Sequence, residues 1–148
     1  MVEWSQLTRT RRAEGWVYER VYTVNEYYDG PRLGVADFHG IPHIYKSRYA
    51  DFSGGHNTFQ LMPINQDAFR LVLENWAIWR RWQAAFNEGR TTIETHPALP
   101  EDRARNAELT VAVETALTTI DSSSVEACCH FVEDEGEEWW VHWTLSIL

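Results

Sequence analysis

The chain is poor in cysteine, and its two cysteines, Cys128 and Cys129, are adjacent. Neighbours on a strand point to opposite faces, so an ordinary disulfide between them would be strained. No disulfide framework and no Cys-x-x-Cys redox or zinc pair can be written. Reduced thiols in the cytosol are the natural expectation. No apolar run reaches the ~18 residues of a membrane helix. The opening residues MVEWSQLTRTRRAEG hold no apolar core of a signal peptide. Gly-x-Ser-x-Gly, Gly-x-Gly-x-x-Gly and the phosphate-cradling Gly-x-x-x-x-Gly-Lys pattern are all missing, which removes the usual sequence signals for a serine nucleophile or a nucleotide. Lysine is nearly absent too: Lys46 is the one lysine among 13 basic residues.

Basic residues of any kind are missing from residues 121–148, which carry seven acidic groups. With 22 acidic residues in all, the net charge is −9. An acidic pole repels phosphate backbones, so nucleic acid is not an expected partner, and neither is a membrane. An acidic face that docks on a basic partner competes with plain solubility as the reason for this charge.

What the chain has in plenty is aromatic surface. Aromatic residues make up 14 %, and eight of them are tryptophan. Hydrophobic residues reach 44 % of 148 residues, enough for one ordinary domain spanning 1–148 with a core of its own.

Residues 16–24, WVYERVYTV, are β-branched and aromatic, a strand signal. Asp29-Gly30-Pro31, His39-Gly40-Ile41-Pro42 and the glycine-rich stretch 53–57 read as turns. They separate further strands at Leu33 to Phe38, Ile44 to Tyr49 and Thr58 to Ile64. Asn65 is a good helix N-cap, and Gln66 to Glu88 reads as a long helix stopped by Gly89. Thr95 to Pro100 reads as an extended linker. Over 103–120, Leu109, Ala112, Val113, Ala116 and Leu117 keep helical spacing, while Leu109, Val111 and Val113 also alternate as a strand would. The helix is the preferred of the two. Val125 to Val132 and Trp139 to Leu145 read as a hairpin around an acidic turn. The expected fold is α+β: a curled antiparallel sheet of about six strands, an N-terminal meander plus a C-terminal hairpin, packed on two helices.

Polar chemistry is densest between Tyr27 and Tyr45, in YYDGPRLGVADFHGIPHIY. This stretch holds Asp29, Arg32, Asp37, His39 and His43. A three-residue turn at His39-Gly40-Ile41 would set Asp37 opposite His43, and a carboxylate can orient an imidazole as a general base. Arg32 could bind a carboxylate or phosphate, or simply point outward from a turn. A plain cross-strand pair is the blander account of the same residues. The hairpin from Leu33 to Tyr45 is the expected functional edge if His43 is exposed; a buried, hydrogen-bonding His43 would make the aromatic surface near Trp140 the better candidate. The six histidines are scattered, so no metal site and no cofactor is expected. Trp76, Trp79 and Trp82 drift around their helix and cannot all face one core. Trp140 lies on the strand face opposite Trp139, which makes it a candidate for a binding surface or for contact with a homodimer mate. YYDGPRLGVADFHGIPHIY and the later HPALPEDRAR resemble a group of small bacterial proteins without a known activity. The resemblance covers most of the chain and implies no chemistry.

Three functions compete. The leading one is a non-enzymatic binding or interaction module with an acidic, Trp-rich surface, taking a protein or a small molecule. The second is a small hydrolase using Asp37, His43 and Arg32. The third is a small-ligand binder with an aromatic pocket. A concave site uniting Asp37, His43 and Arg32 would favour the second, and an exposed aromatic patch by the acidic turn the first.

Overall fold

A computed structural model describes residues 16–48, 58–119 and 124–145. Among these residues the chain forms β1 (Glu19–Tyr27), β2 (Pro31–Phe38), β3 (Ile41–Ser47), β4 (Thr58–Pro63), α1 (Gln66–Asn87), α2 (Arg103–Thr118), β5 (Val125–Glu133) and β6 (Trp139–Leu145). The expected glycine-rich turn at 53–57 lies outside the described residues. The α+β class holds, with six antiparallel strands and two helices. The expected open, curled sheet is corrected: each strand pairs with the next, and β6 pairs back onto β1 to close a barrel. Twist is what closes it. The β1–β2 ladder shifts register between Val21 and Thr23, and twice more between Val24 and Tyr27, and such irregularities bend a strand and increase its twist.

The chain divides into two compact units, residues 65–119 and the remainder. In the helical unit, Asn65 caps α1 by accepting the Ala68 N–H at 2.8 Å. Gly89, at φ +75°, ends it in the left-handed region that favours glycine. Residues 103–118 are helical, which settles the helix-or-strand alternative. Ile78 of α1 packs on Ala98 and on Leu109 of α2. Arg81 grips Asp102 and Arg105 grips Glu74, each through two hydrogen bonds. Exposed ion pairs of this kind add little stability each. Trp82 is buried and donates its N–H to Thr95 Oγ1 at 2.9 Å, while Trp76 and Trp79 stack on one another at 4.9 Å. The expected extended linker is partly folded: Ile93–Thr95 form a 3₁₀ turn, and Ala98 is buried.

In the barrel, alternate residues point inward. Tyr45, Phe59, Phe131 and Trp143 meet there, with ring centroids 5.5–6.2 Å apart in all six pairings. These aromatic pairs add roughly 0.5–1.5 kcal/mol each beyond area burial. A six-stranded barrel is narrower than the eight-stranded kind that side chains just fill. The four rings therefore form a plug, and the barrel is not a channel. The Tyr45 hydroxyl donates to the Thr23 carbonyl at 2.7 Å, directly over Gly34. A Cβ at position 34 would lie 2.2 Å from that carbonyl oxygen and 2.6 Å from the hydroxyl. Position 34 is glycine because the clasp between β3 and β1 occupies the space of a side chain. Burial pushes the Tyr45 hydroxyl well above its usual pKa, which keeps the donor protonated.

Candidate functional site: two mouths of one barrel

The plug leaves two separate mouths. One is formed by the β1–β2 turn, the start of β2 and the β5–β6 turn. The other is formed by the β2–β3 turn, the start of β5 and the end of β6. The expected polar cluster divides between them. Asp29 and Arg32 lie at the first mouth, and Asp37, His39 and His43 at the second. Ala36, which pairs with His43, stands four positions along β2 from Arg32, about 13 Å at 3.3 Å per residue. Asp37, His43 and Arg32 do not meet.

The pairing of Asp37 with His43 is also corrected. The β2–β3 turn has two residues, His39 at φ +53° and Gly40 at φ +76°, as a type I′ turn requires. Asp37 then pairs with Pro42, and His43 with Ala36. One residue of register moves a side chain to the other face of a sheet. Asp37 therefore faces outward and accepts the Tyr22 hydroxyl at 3.1 Å. Burial, and secondly this bond to Asp37, raise the Tyr22 pKa. His43 faces inward and is 7 % exposed, which corrects the expectation of an exposed imidazole. His39 is exposed, its ring 4.2 Å from that of Phe38.

At the first mouth Arg32, also 7 % exposed, turns inward rather than outward from its turn. Its Nε donates to the Tyr28 carbonyl at 2.6 Å, and its other nitrogens reach the Asp29 carbonyl and Ser47 Oγ. The guanidinium braces the β1–β2 turn from below. Cys129 shares this interior. Burial and the neighbouring Cys128 push its thiol up to about 12, against the pull of Arg32. A thiol held that high is a poor nucleophile.

Two tyrosines stand on the rim. Tyr27 and Tyr28 are 63 % and 67 % exposed, and the Tyr27 ring lies 6.1 Å from Trp139. The β5–β6 turn rises beside them with five carboxylates in residues 133–138. Asp134 organises it. Its Oδ1 accepts the Gly136 and Glu138 N–H groups at 2.9 and 3.0 Å, and its Oδ2 accepts the Trp140 indole N–H at 3.0 Å. Burial raises the Asp134 pKa, but the indole and backbone donors outweigh it and hold the group below the usual carboxylate range. Trp140, the tryptophan singled out from the sequence, thus faces the outer wall and anchors the acidic turn. Tyr27, Tyr28 and Trp139 were not singled out. The available signal was two consecutive tyrosines just ahead of Asp-Gly, too many large rings for the inward face of one strand end.

Among the described residues no three His, Cys, Asp or Glu side chains gather into a metal site, and no helix is long and apolar enough to cross a membrane. Compared with known proteins, the chain matches no family model, no curated protein and no solved structure.

Proposed function

We propose that the protein is a non-enzymatic interaction module whose first mouth docks a basic protein partner. The observation that carries this reading is the exposed Tyr27–Tyr28 pair, backed by Trp139 and set beside five carboxylates. Exposed aromatic rings supply apolar contact area, and their faces attract ammonium and guanidinium groups. Carboxylates beside them add attraction and steer a basic partner in. The Asp134 bonds support the reading, because a turn held in one conformation loses less entropy when it docks. The separation of Asp37, His43 and Arg32 removes the geometry on which the hydrolase alternative depends. Adjacent thiols outside a disulfide fit a reducing compartment, and we place the protein in the cytosol.

Calorimetry with a lysine- and arginine-rich peptide, and with an acidic peptide of equal length, tests the docking. The basic peptide is expected to bind, and to weaken as salt screens the turn. Replacing Tyr27 and Tyr28 together by alanine should weaken it roughly tenfold. Equal binding of the two peptides, or an unchanged affinity in the double variant, overturns the reading.

A further inference from the structure

The planes of the Tyr27 and Trp139 rings are inclined at 54° to one another, with centroids 6.1 Å apart. The pair is neither stacked nor perpendicular, so the two planes diverge as a wedge. Trp139 is half-buried and leans on Phe131 of the plug, at 6.5 Å and nearly perpendicular to it. Tyr27 stands on the rim and is 63 % exposed. The turn that follows Tyr27 is fixed by Arg32, which donates to the carbonyls of Tyr28 and Asp29.

Charge stands beside this wedge. Glu133 is the residue paired with Trp139 across the β5–β6 ladder. Side chains so paired share one face of the sheet, with Cβ atoms about 4.5–5.5 Å apart. An exposed carboxylate therefore flanks the indole. The guanidinium of Arg32 opposes it, but that group is turned inward and engaged with backbone carbonyls.

The faces of aromatic rings attract a cation, and the shape of the cation decides how many rings it can use. A guanidinium is a plate that stacks flat. On rings inclined by 54° it can lie flat on only one of them. A round ammonium can face both. A primary ammonium is strongly hydrated, and an exposed wedge compensates little for the water it would shed. A trimethylammonium group has no N–H to leave unsatisfied, and it presents methyl groups to the rings.

We infer that the wedge of Tyr27 and Trp139, flanked by Glu133, holds a trimethylammonium group at the end of a lysine side chain of the partner. The inference rests on the docking surface proposed above and names the group which that surface reads. The rings supply the contact, and Glu133 supplies a counter-charge that needs no hydrogen bond.

Calorimetry on the full chain, with four basic peptides that differ only at a central position, provides the test. That position carries trimethyllysine, lysine, arginine, or a neutral analogue of trimethyllysine with carbon in place of nitrogen. The trimethyllysine peptide should bind about fivefold tighter than each of the others, the worth of one cation on two rings at an exposed site. Its methyl proton resonance should move upfield on binding, because protons over a ring face are shielded. Tyr27→Leu keeps an apolar side chain at an exposed position, and should erase both the preference and the shift. Glu133→Gln should weaken the trimethyllysine peptide and leave the neutral analogue unchanged. Equal binding of trimethyllysine and its neutral analogue overturns the inference while the docking surface stands. So does tighter binding of lysine or arginine, or a preference that survives Tyr27→Leu. Free choline bound as tightly as the peptide overturns the assignment to a lysine side chain. If none of the four peptides binds, the docking surface falls and the inference falls with it.

Discussion

At the first mouth of the barrel the chain presents Tyr27, Tyr28 and five carboxylates; at the second it presents the exposed aliphatic residues Ile41, Val125 and Leu145. Both rims continue the same inward-outward alternation, and only the residues at the strand ends differ. The inward position of Arg32 is filled by a guanidinium that braces a turn, so apolar contact there comes from rings lying on the rim. At the other end the inward position of β3 holds His43, which is buried, and the strand ends beyond it are aliphatic and exposed. The two ends of the same barrel thus differ in chemistry: one rim is aromatic and acidic, the other aliphatic. The four-ring plug is what allows the two to differ.

The comparison breaks first if the plug is not held as described. Gly34→Ala places a methyl group against the Thr23 carbonyl and the Tyr45 hydroxyl, and should cost about 3 kcal/mol or more. Urea unfolding measures it, and a loss below about 1 kcal/mol would refute the clasp. Tyr45→Phe keeps the ring and strands the Thr23 carbonyl, for an expected loss of about 1–3 kcal/mol and little change in the volume of the plug. Asp134→Asn acts on the first mouth alone, and after solvent screening its expected cost is about 0.5–1 kcal/mol near neutral pH. The folded Asp134 has a depressed pKa. Its contribution is therefore fully present above the unfolded value of about 3.9 and disappears as pH falls through the folded one. Stability curves of the parent and the Asn variant should run apart above about pH 5 and converge in acid. Curves that stay parallel into acid would show that the carboxylate does not organise the turn. Tyr27→Ala and Tyr28→Ala should each change stability by less than about 0.5 kcal/mol, since both rings are largely exposed. A larger change would mark them as core residues and remove them from the docking surface.

Much of the fold was legible because its signals are local. The strand over 139–145 and the helix starting at Gln66 stand where alternation and the Asn65 cap put them. Closure was not legible, because nothing in β1 or β6 alone says that they pair. The candidate site was legible only as a list of residue types. Whether Asp37 meets His43 depends on a two-residue rather than a three-residue turn, and both are compatible with His-Gly-Ile-Pro. The tyrosines were hidden for a related reason: a ring near a turn is read as packing until the inner face is known to be full.

Closure has a consequence for how this barrel breathes. Among the described residues the ladder between β1 and β6 has two residue pairs, Glu19 with Val141 and Arg20 with Trp140, against seven between β5 and β6. A cylinder has no first or last strand, so it offers neighbours no free edge on which to grow a shared sheet. That protection is only as durable as its shortest ladder. Amide hydrogens along Glu19, Arg20, Trp140 and Val141 should exchange with solvent before those of the β5–β6 ladder. Each such opening turns a sealed cylinder, for a moment, into a sheet with two bare margins.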